Sequence, residues 1–452
     1  MDNKNKIWKQ IRAIIKQVGE KYDKKWQQRK RVLNSEILVT FIIKMVGSNS
    51  KQGYGINLAE FWEICTKEGV KLNQEKAVSA STICDARQKL PEDIFIKINR
   101  KVITLANKEI KKVKFEGYRI FGIDGSRVNL PRELKKEGFK VYGEDKGRYY
   151  PQCIMSCMYN LQEKMVHDVE VEKHMNERLC AINHMERLME NDIVIFDRGY
   201  FSYILFYKAV KSKGEAIFRI QTNGGNNKEI KKFLKSRAKE KIIEYMPSTT
   251  VQHDLRKDGY EIEFKPLTMR VIKQEVKEKT YVFATTLLDN KTFPKEYFAQ
   301  IYRGRWGIEE LYKVSKGHIE IENFHSKTER GIKQEIYAHI LLINLSRLLE
   351  YEAQKTMNPD NNNTGHNESK IDYIRIFNPL SQIKINFKHC ILAVTRNLAI
   401  ILLRSATVIE NRIKKVIRAV ARVRQKIRPD RKYRRVSQTP YSKWSKKVER
   451  FA

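Results

Sequence analysis

Between residues 115 and 223 the sequence alternates short apolar strands with helices, in the order three strands, helix, strand, helix, strand. That order predicts a mixed sheet flanked by helices, an α/β fold. The first strand, in "GYRIFGIDGSRVNLP", is predicted to end at Asp124, before a tight reversal that Gly125 allows. The fourth strand, "DIVIFD", ends on Asp197. Ligands of α/β sheets bind beyond strand ends, so both aspartates are candidate functional residues.

The remaining segments predict further regions around this core. Residues 1–110 have helical periodicity with interleaved Lys and Arg, as in "KKWQQRKR". They predict a helical domain that binds a phosphate backbone, or a basic surface without a partner. Lys-rich strands predict a β-rich insertion over 224–285, after which the core resumes over 286–352. The polar stretch "TMNPDNNNTGHNESK" predicts a flexible loop over 353–372. A helical basic region over 373–452 is predicted to contact DNA, to dimerise, or both.

Charge is the compositional feature that bears most on function. The 452 residues include 89 Lys and Arg against 53 Asp and Glu, a formal net charge of +36. This excess predicts an extended acidic partner, with nucleic acid the first candidate. The start "MDNKNKIWKQ" lacks a secretory signal, and no apolar run reaches the roughly 18 residues of a membrane span. A soluble, cytoplasmic protein with no membrane partner is therefore expected.

The stretch "IYRGRWGIEELYKVSKG" places four polar side chains at helical spacing. Tyr302, Arg305, Glu309 and Lys316 are separated by three, four and seven residues, which puts them on one stripe of an α-helix. Two interpretations are open on spacing alone. One is an amphipathic helix with ion pairs between residues four apart. The other is a functional face, because a phenol, a guanidinium, a carboxylate and an ammonium together suit binding or catalysis.

Three acids could act together. Alone, Asp124 could simply form a turn and Asp197 could simply cap the following helix. With Glu309 as a third carboxylate, the set could hold two Mg²⁺ ions about 3.5–4 Å apart, which activate an attacking oxygen and stabilise the leaving oxygen in displacement at phosphorus. An anionic substrate is consistent with the positive net charge. By contrast, Cys153 and Cys157 have no second Cys/His pair at a zinc-site spacing, so no metal role is expected for them.

The four-residue stripe matches the Y-x2-R-x3-E-x6-K signature of a group of bacterial insertion-sequence transposases of the DDE class. "GIDGS" and "DIVIFDRGY" resemble the first and second aspartate motifs of that family, and the resemblance covers roughly residues 115–350. It implies an RNase H-like catalytic core, with the β-rich insertion placed between the second Asp and the Glu. It also implies a DNA transposase that moves its own element by cut-and-paste transposition.

The resemblance implies a role for each matching residue. Asp124, Asp197 and Glu309 would bind two Mg²⁺ ions, with Mn²⁺ able to substitute, for nicking at the element ends and then strand transfer by the 3′-hydroxyl. DNA contacts are expected from the residues Tyr302, Arg305, Lys313 and Lys316. Some members stack an extruded base on a tryptophan of the insertion. The corresponding residue here is Tyr281, for which a cross-strand aromatic contact within the sheet is slightly preferred.

The expected partners follow from the same resemblance. They are double-stranded DNA, as the terminal inverted repeats of the element and as the target, and a second protomer in the DNA complex. The bacterial cytoplasm, in association with the nucleoid, is the expected location. Two alternatives stay open: an RNase H-like nuclease that cuts without joining, and a transposase-derived DNA-binding protein that has lost catalysis.

Overall fold

The structure is a computed structural model that describes residues 6–26, 32–48, 52–110, 114–144, 147, 149–223, 227–276, 278–357 and 383–427. Its N-terminal part is helical, as the periodicity predicts. The helices are α1 (Lys6–Trp26), α2 (Ser35–Gly47), α3 (Tyr54–Lys67), α4 (Ala80–Lys89) and α5 (Asp93–Glu109). Asn34 caps α2 and Ser79 caps α4, each through a side-chain oxygen that accepts from a main-chain N–H of the first turn.

An eight-stranded mixed sheet forms the centre of the described part of the chain, with strand order β3-β2-β1-β4-β5-β8-β7-β6. Strands β1, β4 and β5 run parallel; β2 pairs antiparallel with β1, and β3 pairs antiparallel with β2. This confirms the predicted mixed sheet and the RNase H-like strand order. The strands are β1 (Arg119–Asn129), β2 (Gln152–Asn160), β3 (Met165–Glu172), β4 (Asp192–Phe196), β5 (Glu215–Ile220), β6 (Glu240–Tyr245), β7 (Leu267–Val276) and β8 (Lys279–Thr285).

The three strands of the segment predicted as an insertion extend the core sheet. Strand β8 pairs antiparallel with β5 over Ile217–Ile220, and β7 and β6 follow outward. Without β8, the main-chain groups of β5 on that side would form an exposed edge. The segment therefore shares one continuous hydrogen-bonded sheet with the core, while the domain boundaries themselves stay a prediction.

The predicted reversal at Gly125 is wrong. Strand β1 runs without a turn from Arg119 to Asn129 and pairs with β2 along Phe121–Asn129. Its pairing with β4 stops at Gly122, so Asp124 lies within a strand but beyond the end of the parallel part of the sheet. A lack of space explains why residue 125 is a glycine. A Cβ there would lie 2.9 Å from the Glu177 side chain and 2.9 Å from the Ile154 side chain.

Helices cover both faces of the sheet. Alternate residues of β1 show the division, since Phe121 packs into a core with the helices between residues 177 and 257, whereas Ile120 packs into a larger core with helices before β1 and after β8. The helices after β3 are α6 (Glu177–Met185), α7 (Tyr203–Lys211), α8 (Lys228–Lys235), α9 (Thr249–Lys257), α10 (Glu296–Gly304), α11 (Trp306–Lys313), α12 (Glu329–Met357), α13 (Phe387–Leu403) and α14 (Ala406–Arg422).

Helix α12, of 29 residues, is the centre of the larger core. It packs against α2, α5, α13, α14 and β3, which joins the N-terminal and C-terminal helices to the sheet. A buried ion pair fixes its start, with the Arg87 guanidinium of α4 at 2.9 Å from the Glu335 carboxylate. Removing one partner of such a pair costs about 3–5 kcal/mol, because the other charge stays buried.

Two short strands close the described C-terminal part, β9 (Ile383–Ile385) and β10 (Arg424–Lys426). The predicted loop at 353–372 falls outside the described residues from 358 onward, and so does the basic segment after 427. Within the described ranges, no helix combines the length and the apolar composition that a membrane crossing requires.

Candidate active site

The two aspartates lie on neighbouring parallel strands at the same height. Pairing between β1 and β4 ends at Gly122 and Ile195; Asp124 follows two residues later within β1, and Asp197 follows two residues later, just after the end of β4. Side chains two residues apart point to the same face, and neighbouring strands are about 4.8 Å apart. The register of the sheet therefore brings Asp124 and Asp197 together on one face, just beyond the parallel part of the sheet.

The segment with the four-residue stripe is not one regular α-helix. Helices α10 and α11 meet at Arg305, and a π-helical turn covers Val314–His318. A π-helical turn is wider than an α-helical one, which moves Lys316 off the predicted stripe. The Lys316 ammonium instead donates to the Arg127 carbonyl at 2.5 Å and lies 3.9 Å from Glu322. Tyr302, Arg305 and Glu309 keep their common direction.

Helix α11 is fixed directly onto β1. A Cβ at Gly122 would lie 3.7 Å from the Ile308 side chain and 3.3 Å from that of Leu161, so this glycine permits close packing of helix on strand. One turn later, the buried Tyr312 hydroxyl donates to the Asp124 carbonyl at 2.6 Å. The helix is therefore held against the main chain of the residue whose carboxylate it faces.

The face of α10 and α11 meets the two aspartates. The Arg305 guanidinium donates to Glu309 at 2.7 Å and lies 3.9 Å from the Asp124 carboxylate. The Tyr302 hydroxyl donates to Asp197 at 2.6 Å. Arg305 and Tyr302 are both buried, and the three carboxylates are partly exposed. The Arg305–Glu309 pair is therefore not an isolated ion pair on the surface of a helix, because the Arg305 guanidinium also lies close to Asp124 on β1.

Burial and hydrogen bonding set the two aspartates apart. Burial raises the pKa of Asp124 to about 6, against the opposing effect of the Arg305 guanidinium. Burial acts in the same direction on Asp197, but hydrogen bonds from the Tyr302 hydroxyl and the Arg198 main-chain N–H lower the pKa of Asp197 below its usual value. Both aspartates are therefore ionised near neutral pH, with Asp124 the first to take up a proton as the pH falls.

Comparison with known proteins agrees with this geometry. A family model described as a transposase DDE domain matches residues 116–345, just over half of the 452 residues. The chain belongs to this family. The match includes all three acids of the candidate site, and it confirms the resemblance to DDE-class insertion-sequence transposases drawn from the motifs.

A curated relative of this transposase family is the Escherichia coli (strain K12) protein "Transposase InsG for insertion sequence element IS4". It is 22% identical over 276 residues, which are 60% of this chain and 61% of the InsG chain, so the chain spans less than two thirds of that relative's length. The cryo-EM structure of a piggyBac transposase synaptic complex with hairpin DNA aligns over 92% of this chain and 85% of its own, at 11% identity and a TM-score of 0.38. This likeness is too weak to bear on the fold, which rests on the strand order alone.

The donor atoms of the candidate site suit magnesium. Asp124, Asp197 and Glu309 offer carboxylate oxygens, the ligands that Mg²⁺ prefers. Two buried polar atoms near them, Arg305 Nε and the Tyr200 hydroxyl, have no hydrogen bond of normal geometry to any residue that the structure describes. Buried polar groups normally have partners, so these two atoms are available to bond to a water or a ligand of the site.

A second acidic group lies elsewhere in the transposase domain. Among the residues that the structure describes, Asp168, Glu170 and His184 form the one group of possible metal ligands whose atoms all lie within 4.8 Å of one another. The Asp168 carboxylate already contacts the Arg187 guanidinium at 2.7 Å and the His184 ring at 2.9 Å. These contacts neutralise the carboxylate, so this group is better explained as a structural network at the edge strand β3.

The structure places the other predicted DNA contacts around the same site. Lys313 is exposed on α11. Tyr281 is partly buried on β8, with its ring centroid 6.4 Å from that of Tyr302 and 6.2 Å from that of Phe283. Phe283 is on the same strand and Tyr302 is on α10, so neither is the cross-strand aromatic contact that was slightly preferred, and the role of Tyr281 toward DNA stays a prediction.

Sequence reasoning missed Arg219. Its guanidinium on β5 lies 4.0 Å from the Asp197 carboxylate and stacks between two rings, 5.3 Å from the Tyr281 centroid and 5.5 Å from the Tyr302 centroid. The available signal was an arginine inside the apolar strand "EAIFRIQT". A charge in a core strand requires a partner, and a neighbouring aspartate at a strand end is one.

The raised pKa of Asp124 predicts a pH-dependent effect of the substitution Asp124→Asn. An acid with a raised pKa in the folded state stabilises the fold most below its unfolded pKa, and this stabilisation is lost as the pH rises through the folded pKa. With a shift from 3.8 to about 6, the variant should gain stability over the wild type as the pH increases from 4 to 8. The expected gain is about 2–3 kcal/mol. Urea unfolding of both proteins in EDTA at several pH values measures it, and a difference independent of pH would contradict the burial of this carboxylate.

Proposed function

We propose that this protein is a DNA transposase that moves an insertion sequence by cut-and-paste transposition. The observation that supports it most is the contact between α10–α11 and the strand ends. At this contact the Arg305 guanidinium lies between the Glu309 and Asp124 carboxylates, and the Tyr302 hydroxyl donates to the Asp197 carboxylate. In a chain of the transposase DDE family, these are the three acids that the chemistry requires.

Asp124, Asp197 and Glu309 are the proposed ligands of two Mg²⁺ ions, for which Mn²⁺ could substitute. Bound ions would activate the attacking oxygen and stabilise the leaving oxygen during phosphoryl transfer. In the structure described here the Arg305 guanidinium neutralises two of these carboxylates. A cation bound to Glu309 would repel the Arg305 guanidinium from that carboxylate, and a buried arginine so released needs another anion. A phosphate of the DNA end is an anion of suitable charge and geometry.

Tyr302 and Arg219 hold Asp197 from the other side. The Tyr302 hydroxyl donates to its carboxylate, and the Arg219 guanidinium lies 4.0 Å away. A donor on one carboxylate oxygen leaves the second oxygen available as a ligand. These residues are thus proposed to orient Asp197, with Tyr302 and Arg305 also close enough to the site to contact the DNA backbone.

The proposed substrates are the terminal inverted repeats of the element and then the target DNA. Support comes from the net charge of +36 and from two exposed lysines that follow Glu309 in the chain, Lys313 on α11 and Lys316 in the turn after it. The two ends of the element need two catalytic sites, so a homodimer in the DNA complex is part of the proposal. The proposal also includes action on bacterial DNA in the cytoplasm and at the nucleoid.

The substitution Glu309→Gln tests the chemistry. It removes a carboxylate ligand but leaves the positive surface unchanged, so DNA cleavage should fall by at least 100-fold while DNA binding is retained. The assay uses the full chain with Mg²⁺ and labelled duplexes of the inverted repeats that flank its reading frame, and it scores both nicking and joining to a target duplex. The matched control is Glu310→Gln, the exposed neighbour on the same helix.

Each outcome of that assay decides between functions. Cleavage and joining by the wild type, both lost in Glu309→Gln, would support the transposase. Cleavage without joining would identify a nuclease, and DNA binding without cleavage would identify a protein that has lost catalysis. Full cleavage by Glu309→Gln would contradict the assignment of the acids.

The exposed lysine Lys313 provides a test of the DNA contact. If its ammonium neutralises one phosphate, Lys313→Ala should reduce the slope of log binding constant against log salt concentration by about 0.9. Fluorescence anisotropy with a labelled end duplex between low and moderate salt measures the slope. Lys355→Ala is the control, an exposed lysine at the far end of α12. Equal slopes for Lys313→Ala and the wild type would exclude this contact.

A further inference from the structure

A fourth carboxylate lies beside the three proposed ligands. Glu177 is the first residue of α6, and its side chain packs against β1 at Gly125, the residue after Asp124. A Cβ at Gly125 would lie 2.9 Å from Cγ of Glu177 and 3.2 Å from its carboxyl carbon. Only a glycine at residue 125 leaves room for this side chain, so the sequence "DGS" accommodates Glu177 where a turn was expected.

The simplest explanation for Glu177 is a favourable interaction with the helix dipole, since an acid in the first turn stabilises a helix. That role does not require the carboxylate to lie over the sheet. The start of α6 is already capped by Asn176, whose side chain accepts from the Arg178 and Leu179 N–H groups. The position of Glu177 against β1 therefore needs a second explanation.

The start of α6 is also tied to the loop that contains Asp197. The Arg178 guanidinium donates twice to the Gly199 carbonyl, at 3.1 and 2.8 Å. Gly199 is two residues after Asp197, so these bonds fix the distance between α6 and the end of β4. Glu177 is thus held at a set position relative to both aspartates.

Tyr200 gives an independent indication of a ligand at this place. Its side chain is 3% exposed, and none of the described residues forms a hydrogen bond of normal geometry with its hydroxyl. Burial raises the pKa of Tyr200, and the negative charges of Asp124 and Glu177 raise it further, which places the hydroxyl within the electrostatic reach of both carboxylates. A buried hydroxyl that reaches the Glu177 carboxylate without a hydrogen bond of normal geometry suits a site that a hydrated cation completes.

We propose that Glu177 is a fourth carboxylate of the metal centre, which binds a divalent cation directly or through one of its waters from the α6 side of β1. The inference rests on the proposed function, because it concerns the cation held by Asp124 and Asp197. The class of ligand is a hard divalent cation with oxygen ligands, Mg²⁺ or Mn²⁺. Tyr200 would then donate its hydroxyl proton to the Glu177 carboxylate and hold it in place.

The test is Mn²⁺ binding by isothermal titration calorimetry on the full chain without DNA. Glu177→Gln should weaken Mn²⁺ binding by about tenfold or more, the usual loss when a supporting ligand of a metal site is removed. Glu170→Gln is the control, since it removes a carboxylate of comparable burial from the other acidic group. It should bind Mn²⁺ like the wild type.

A second variant separates metal binding from helix stability. Glu177→Asp keeps the negative charge at the start of α6 but withdraws it by one methylene, so the thermal unfolding temperature should not change while Mn²⁺ binding still weakens. Wild-type Mn²⁺ affinity in both Glu177→Gln and Glu177→Asp would overturn the inference. If both Glu177 variants bind Mn²⁺ like the wild type but Glu309→Gln loses Mn²⁺ binding, the proposed function remains intact. Unchanged Mn²⁺ binding in Glu309→Gln and loss in Glu170→Gln would instead overturn the proposed function.

Discussion

The in-register parallel pairing of β1 with β4 is the constraint on which the site depends. It ends at Gly122 and Ile195, so both aspartates continue beyond it at equal height on one face. A shift of one residue would turn one of them to the opposite face of the sheet. Apolar residues buried on both faces of both strands make such a shift costly, because it would move the larger and the smaller core out of alignment together.

Arg305 connects the sheet to the helix that completes the site. It is buried, it joins Glu309 to Asp124, and its Nε has no partner among the residues that the structure describes. A buried guanidinium between two carboxylates is most stable while those charges compensate it. A cation that takes the carboxylates is therefore bound more tightly when a new anion is available for Arg305. On this account metal and DNA bind cooperatively, because each supplies the charge that the other displaces.

Much of this arrangement could be predicted from the sequence, since apolar strands of five to eleven residues and a four-residue signature are local features. The order of strands β1 to β5 and the three acids followed from them. The regular helix across Arg305 and the turn at Gly125 were wrong for reasons of tertiary contact. The main chain widens after Lys313, and Gly125 makes room for a side chain 52 positions later in the sequence. Arg219 was missed for the same reason, because its partner Asp197 is on another strand.

The central claim is that the three carboxylates of the transposase DDE domain form one metal centre and that Arg305 turns from them to DNA. Anomalous diffraction from crystals of the full chain, grown with Mn²⁺ and an end duplex, measures this directly. The account predicts Mn²⁺ peaks between Asp124, Asp197 and Glu309, with the Arg305 guanidinium on a DNA phosphate. Peaks at Asp168, Glu170 and His184 alone, with Arg305 still paired to Glu309, would contradict it.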